Sequence, residues 1–358
     1  MTRGAASGRL CPGTHRTLLA VLLFSILGVT GCGGAGDDGV LVVYSAGPRG
    51  LAETVTEAFA EAHGVRVELY AATTGQVMAR LEAERYRPRA DVVVFASRVA
   101  AEALKERGRL LPYADPPWLD ETEREWHDPE GHFHATSAAL VGVAFREAAY
   151  DPTLDWDDLL SGHFPGRVTL PGPSRSGAAG DFVVAHILRD GDAAWDLWLQ
   201  ARRGGLEISA ANSQAISGLL VGAYDAVVGA VDYLILNQIE GGAALRMHYP
   251  PSGAALVERP VAILADTPVP ELAKAFVDFY LSPEVQAEVV GANLIPARLG
   301  VAPSELRGDG PRPPVIAVDY AQALREQTRI LRRFQLEVER AEVIRPSTSS
   351  PATPRGRR

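Results

Sequence analysis

From Val40 onward the chain alternates short apolar runs with amphipathic stretches. Val40-Leu41-Val42-Val43-Tyr44 is a continuous apolar run of strand length, the pattern of a strand covered on both faces of a parallel sheet. The turn residues Ser45-Ala46-Gly47-Pro48-Arg49-Gly50 end it, and Leu51, Val55, Ala58, Phe59 and Ala62 then share one face of a helix. Residues 65–70 alternate as a half-buried strand, and Thr73-Thr74-Gly75-Gln76 leads into a helix carrying Val77, Met78 and Leu81. Residues 91–95 form a third strand, followed by Ala96-Ser97-Arg98 and a helix over 99–107 that stops at Gly108. This β-α-β-α-β rhythm predicts an open parallel sheet with helices on both faces, whose ligands bind at the carboxyl ends of the strands.

Those strand ends read Ser45-Ala46, Thr73-Thr74-Gly75 and Ser97, all small and hydroxyl-bearing. One such residue is ordinary turn chemistry. Their recurrence at successive strand ends points to a ligand wall, and the helix starts behind them favour an anion.

A loop rich in proline and aromatic residues covers 111–133, and 140–145 is a buried strand. The pattern then restarts, with a short helix at 156–160, a strand at 167–170, and the loop Pro171-Gly172-Pro173-Ser174-Arg175-Ser176-Gly177 opening a helix that carries Phe182, Val183, His186 and Ile187. Trp195 and Trp198 lie three apart on the next helix and are expected in the core. Asn212-Ser213 reads as the N-cap of a helix through Leu220, after a strand at 206–209. A strand at 226–230 runs into Asp232-Tyr233, where a helix begins and the Tyr233 hydroxyl is expected to face the cleft. Strands at 245–249 and 257–264 follow, then a helix at 270–281 and another opened by Ser282-Pro283-Glu284. Residues 301–316 are expected to wrap the surface. A helix from Asp319 places Tyr320, Leu324, Leu331, Phe334 and Val338 on one side, and the tail 345–358 reads as disordered.

At 358 residues the chain has room for two domains, and its 47% apolar and 22% charged content is that of a globular protein. Residues 1–31 carry Arg3, Arg9 and Arg16 and no acid; the remainder has 32 basic against 44 acidic residues, a formal charge of −12. An acidic body without a long Lys/Arg run argues against a nucleic-acid partner. The two cysteines, Cys11 and Cys32, give no disulfide framework. The apolar segment 17–29 is too short to span a bilayer, and it ends in Val29-Thr30-Gly31-Cys32. Those residues resemble the bacterial lipoprotein signal, which implies cleavage before Cys32, lipidation of that cysteine and a flexible tether over 32–39. The alternative is an ordinary secretory signal with an incidental cysteine.

Several further segments share one likeness. They are Leu41-Val42-Val43-Tyr44-Ser45-Ala46, Thr74-Gly75-Gln76 with Ala79-Arg80-Leu81, Ala90-Asp91-Val92-Val93, Ser174-Arg175-Ser176-Gly177-Ala178, Gly222-Ala223-Tyr224-Asp225-Ala226, Asp232-Tyr233, Tyr249-Pro250, Ala273-Lys274-Ala275-Phe276 and Ser282-Pro283-Glu284-Val285-Gln286. In that order, over about residues 40–300, the chain resembles the periplasmic solute-binding proteins of ABC importers, in the branch of ferric-ion, phosphonate and related anion binders. The resemblance implies an α/β, two-lobed, type II-like fold, each lobe a sheet flanked by helices, joined by two crossover strands. By that analogy 40–135 and 258–344 form the first lobe and 136–257 the second. The ligand residues would be Ser45, Ala46, Thr73, Thr74, Gly75 and Ser97 from the first lobe. Ser137, Arg175, Ser176, Gly177, Asn212, Asp232 and Tyr233 would complete the set. The implied partners are a small anionic ligand, a permease with its ATPase, and the membrane through lipid on Cys32, on the periplasmic or extracytoplasmic face. No cofactor and a monomeric state are expected.

The ferric members of that branch hold metal with a histidine after the first strand, a glutamate near the second and two adjacent tyrosines. Here the first loop has no histidine, the second no acid, and the tyrosine pair is reduced to Tyr233-Leu234. What remains is Ser, Thr, Gly, helix starts and Arg175, a set suited to an oxyanion such as a phosphonate or sugar phosphate. Ferric binding is the alternative. His127, His132 and His134 could bind Zn²⁺, but around the turn Asp128-Pro129-Glu130-Gly131 they read better as surface histidines of a hairpin. A hydrolase lacks support, with no G-x-S-x-G around Ser174 or Ser176 and no S-x-x-K or H-E-x-x-H anywhere. A binding protein that serves a membrane receptor is a further alternative to import.

Overall fold

The computed structural model describes residues 39–162, 164, 167–308 and 312–341; the expected leader, Cys32 with most of its tether, and the tail lie outside them. Strand β1 (Val40–Ser45), α1 (Arg49–His63), β2 (Arg66–Ala71), α2 (Thr74–Ala83), β3 (Val92–Val94) and α3 (Arg98–Glu106) form the expected opening unit. After β4 (Leu110–Leu111) come β5 (His134–Arg146), α4 (Trp156–Leu160), β6 (Val168–Pro171), α5 (Gly177–Asp190) and α6 (Asp192–Arg203). They are followed by β7 (Glu207–Ser209), α7 (Asn212–Leu220), β8 (Ala226–Val231), α8 (Asp232–Glu240) and β9 (Leu245–His248). Strand β10 (Ala255–Leu264), α9 (Pro270–Tyr280), α10 (Pro283–Gly291), β11 (Ile295–Pro296) and α11 (Tyr320–Phe334) complete the order, and a π-turn at Gln335–Glu339 extends α11.

Hydrogen bonds join the strands in the order β2-β1-β3-β10-β5-β8-β6-β7. Strands β1, β2 and β3 are mutually parallel, as are β6, β7 and β8. The two parallel halves meet through β10 and β5, which run antiparallel to each other and to their outer neighbours β3 and β8. These are the two crossover strands, and the halves they join are the two lobes. Strand β5 starts earlier than the apolar run at 140–145 predicts, because Ala135 and residues 137–139 pair with β10, and the strand is buried up to Phe145.

The first lobe's core packs Phe59 edge-on against Phe276 and Phe279, with ring centroids 5.1 and 5.5 Å away. In the second lobe Trp156 lies 4.5 Å from Phe182, and Trp195 and Trp198 are buried as expected, both against Phe334. Helix α11 therefore packs on α5 and α6 as well as on α3, so it touches both lobes although the sequence assigns 258–344 to the first. The segment after β11 does more than wrap the surface: Arg307 reaches inward, its Nη1 donating to Asp232 Oδ2 at 2.6 Å.

The histidine hairpin needs correction. His127 and His134 are buried, not on the surface, and the Trp118 ring packs on both, at 5.9 and 5.1 Å between centroids. Their rings lie 5.3 Å apart, His127 Nε2 meets Thr122 Oγ1 at 2.8 Å, and His134 Nε2 meets the Tyr113 carbonyl at 2.8 Å. His132 turns instead to Asp128, at 2.9 Å. Asp128, Glu130 and His132 come within metal-ligand reach of one another, but the Lys105 ammonium, 2.5 Å from Asp128, already fills the cation position.

Burial, reinforced by repulsion from His134, pushes His127 down from 6.5 to about 3. Between those values the unfolded chain takes up a proton that the native state refuses. Its stabilising contribution is complete above pH 6.5 and is lost as pH falls toward 3. The thermal midpoint should therefore drop between pH 7 and pH 5, at a slope of up to about 1.4 kcal/mol per pH unit for this group. His127→Gln should flatten the slope, and an identical slope in that variant would exclude His127 as its source.

Candidate functional site

The carboxyl ends of β1 and β3 and the starts of α2, α5, α7 and α8 converge on an interlobe cleft of about 900 Å³. Each start has a local cause. Thr73 caps α2 in a reciprocal box, its Oγ1 accepting from Gln76 N at 3.3 Å while Gln76 Oε1 accepts from Thr73 N at 3.1 Å. Ser176 caps α5 by accepting from Ala179 N at 3.3 Å. Helix α7 departs from expectation: Ala211 occupies the cap position and Asn212 the first turn, where its Oδ1 accepts from Ser176 Oγ at 3.3 Å. Unpaired N–H groups and the aligned peptide dipoles make each of these ends partially positive.

The lobes touch at Gly177. A Cβ built there would lie 2.9 Å from Thr74 Oγ1 and 3.3 Å from the Ala96 carbonyl, so the absent side chain lets the N-terminus of α5 approach that of α2. One turn further along α5, Ser97 Oγ donates to Asp181 Oδ1 at 2.9 Å.

Of the residues expected from sequence, Ala46, Thr73, Thr74, Gly75, Arg175, Ser176, Gly177, Asn212 and Tyr233 line the cleft. Four others do not. Ser45 is buried and accepts from Gly47 N at 3.0 Å, which holds the turn after β1. Ser97 caps α3 and binds Asp181. Ser137 is buried within β5, paired with Arg259 on one side and Pro296 on the other. Asp232 is fully buried and spent on protein partners: Leu140 N at 3.0 Å, Tyr233 N at 2.7 Å and the Arg307 guanidinium. Short polar side chains beside a chain break satisfy nearby backbone first, and that local use removes them from the cleft. Tyr233 lines the cleft, and among the described residues its hydroxyl has no hydrogen-bond partner.

The residue sequence reading missed is Arg259. It lies on β10, 2% exposed, with Nη2 donating to the Ala46 carbonyl at 3.1 Å and its guanidinium 5.4 Å from the centre of the Tyr233 ring. Among the described residues no carboxylate pairs with it, although its neighbour Glu258 pairs with Arg98 at 3.2 Å. The available signal was a charged pair, Glu258-Arg259, inside an otherwise apolar strand. Gln76, Asn237 and Gln238 also line the cleft, whereas no Asp, Glu or His does among the described residues. The site thus offers two guanidinium groups, helix N-termini and neutral hydrogen-bonding groups, with no anionic donor beyond what one tyrosine could supply.

Comparison with known proteins agrees with this architecture. A "Probable ABC transporter periplasmic-binding protein", y4fP of Sinorhizobium fredii, is 26% identical over 324 residues, 83% of this chain and 86% of that protein. The periplasmic binding protein AfuA from Actinobacillus pleuropneumoniae, solved with exogenous fructose-6-phosphate bound, superposes with a TM-score of 0.77 at 22% identity, covering 85% of this chain and all of that one. Iron-bound HitA from Pseudomonas aeruginosa gives 0.72 at 22% identity, covering 82% of this chain and 98% of that one. The family described as bacterial extracellular solute-binding protein matches residues 40–291, and the chain belongs to it.

Proposed function

We propose that this protein is the solute-binding component of an ABC importer, and that it captures a small oxyanion-bearing solute, such as a sugar phosphate or phosphonate, in the interlobe cleft. A membrane permease with its ATPase would receive the loaded form, and lipid on Cys32 would hold the protein at the membrane. The relative from Sinorhizobium fredii supports the importer assignment by its name. The observation that carries the ligand class is Arg259, a buried cation facing the cleft without a carboxylate partner among the described residues. An uncompensated buried charge is costly, and an anionic solute relieves that cost. The start of α5 and Arg175 on the opposite wall add to the same positive field.

The iron-bound neighbour keeps ferric binding as the second reading. A hard trivalent cation needs several anionic oxygen donors. Among the described residues this cleft brings one tyrosine, no carboxylate and two guanidinium groups that repel metal. The binding reading also needs no catalytic constellation.

Native mass spectrometry of the full chain extracted from membranes should show an acylated Cys32 and a copurifying phosphorus-bearing solute. Calorimetry on stripped protein should then give micromolar or tighter binding of a sugar phosphate or phosphonate. Tight binding of Fe³⁺ with no response to phosphorus compounds would reverse the assignment, and an unmodified Cys32 would remove the anchor.

Arg259→Met should weaken the phosphorus ligand by about 10- to 100-fold, the value of a desolvated charge-assisted hydrogen bond. Because that buried charge lacks an acidic partner, the thermal midpoint of the ligand-free protein should hold or rise. A large stability loss with unchanged affinity would make Arg259 structural. Gly177→Ala should cost roughly tenfold in affinity by wedging the lobes apart at Thr74, again with the ligand-free midpoint preserved. Unchanged affinity would show that closure does not need this contact.

A further inference from the structure

Helix α11, which packs on α3 and α5, is tied at each end to the chain neighbour of a cleft arginine. At its first turn the Tyr320 hydroxyl donates to Glu258 Oε2 at 2.6 Å, and Glu258 immediately precedes Arg259. At its far end Glu339 accepts from Ser174 N at 3.1 Å and from Ser174 Oγ at 3.0 Å, and Ser174 immediately precedes Arg175.

The second tie depends on the π-turn. Arg340 N donates to the Gln335 carbonyl five residues back, at 3.2 Å. Such a turn holds one residue more than an α-turn, and each helical residue advances about 100° around the axis. A regular continuation of α11 would carry the Glu339 side chain away from Ser174 by about that angle. The loop it grips is pinned at its two ends: Gly172 N donates to the Ser209 carbonyl at 2.9 Å, and Arg175 N and Ser176 N both donate to the Gly172 carbonyl, at 2.9 and 3.0 Å, while Ser174 and Arg175 at its tip are exposed. Glu339 takes the serine and not the arginine, and the Arg175 guanidinium has no partner among the described residues.

We propose that Glu339 is a positioning residue for the cleft: it fastens Ser174 to the C-terminal helix and thereby aims Arg175 at the bound anion. Only the last step, the effect on affinity, rests on the anion reading. The fastening can be read without any ligand.

The experiment compares the full-length protein with Glu339→Ala and Glu339→Gln. In the ligand-free state, amide hydrogen exchange over residues 172–177 should rise about tenfold in Glu339→Ala. It should rise less in Glu339→Gln, whose amide oxygen can still accept one of the two bonds. Calorimetry with fructose 6-phosphate and with methylphosphonate forms the second arm. For whichever compound binds, Glu339→Ala should lose about tenfold in affinity. Combining Glu339→Ala with Arg175→Ala should bind no more weakly than Arg175→Ala alone. Unchanged exchange in Glu339→Ala would overturn the proposal, as would losses that simply add, since a purely structural contact would not couple to Arg175. If the wild type binds neither compound, the anion reading fails, and the exchange arm alone decides the fastening.

Discussion

The site depends on an irregularity where the two crossover strands pair. The β5–β10 ladder matches Ser137 with Arg259 and Ala135 with Pro260, which leaves Thr136 unmatched. Bulges of this kind bend a strand and re-aim its side chains. Here the extra residue is held by two bonds, Thr136 Oγ1 donating to the Arg259 carbonyl at 3.0 Å and the Thr136 carbonyl accepting from Gln286 Nε2 at 3.0 Å. Successive strand residues face opposite sides of a sheet. Glu258 accordingly turns to Arg98 and Tyr320, and Arg259 turns to the Ala46 carbonyl and the cleft. One short strand segment therefore supplies both the seat of the C-terminal helix and the buried cation of the site.

That arrangement separates charge within an acidic protein. Glu258 could have neutralised Arg259, but its carboxylate is taken by Arg98 and by the Tyr320 hydroxyl at 2.6 Å. Asp232, a second acid near the cleft, is taken by Arg307 and by backbone, and Asp181 accepts from Ser97 Oγ. The carboxylates of Glu258 and Asp232 are buried and pinned by more than one donor, so neither can swing to Arg259 without stranding its own partners. The positive field in the cleft follows from where the acids are fixed, and the formal charge of −9 on the whole chain says nothing about it.

The fold was legible because parallel strands covered on both faces leave continuous apolar runs, as Val40–Ser45 and Ala226–Val231 do. The first half of β5 leaves little hydrophobic signal, because past His134 it is built of alanine, serine and threonine. Helix starts at strand ends were equally legible and located most of the cleft wall. Sequence could not tell which hydroxyl a local backbone donor would consume, so Ser45 and Ser97 were placed in the cleft although Gly47 N and Ala100 N occupy them. Arg259 escaped because its direction is set by a ladder shift with a strand more than a hundred residues away. The buried histidines escaped for a similar reason: Trp118, which packs on both, belongs to a loop without periodicity, so their burial leaves no pattern in the chain.

The cleft's composition also constrains the body of the solute. A volume of about 900 Å³ far exceeds what a bare ion or a lone phosphate fills, and it falls in the range of pockets for small organic molecules. Away from the arginines its walls carry the amides of Gln76, Asn212, Asn237 and Gln238 beside the apolar Ile216, Leu220 and Leu234. Side-chain amides both donate and accept, so they can pair with hydroxyl groups without adding net charge. The apolar residues suit the C–H faces of the same molecule. On the proposed oxyanion reading, an anionic group near Arg259 and Arg175, on a hydroxylated organic body against the amides, would use every class of wall the cleft presents, whereas a bare inorganic anion would leave the amide and apolar surfaces to water.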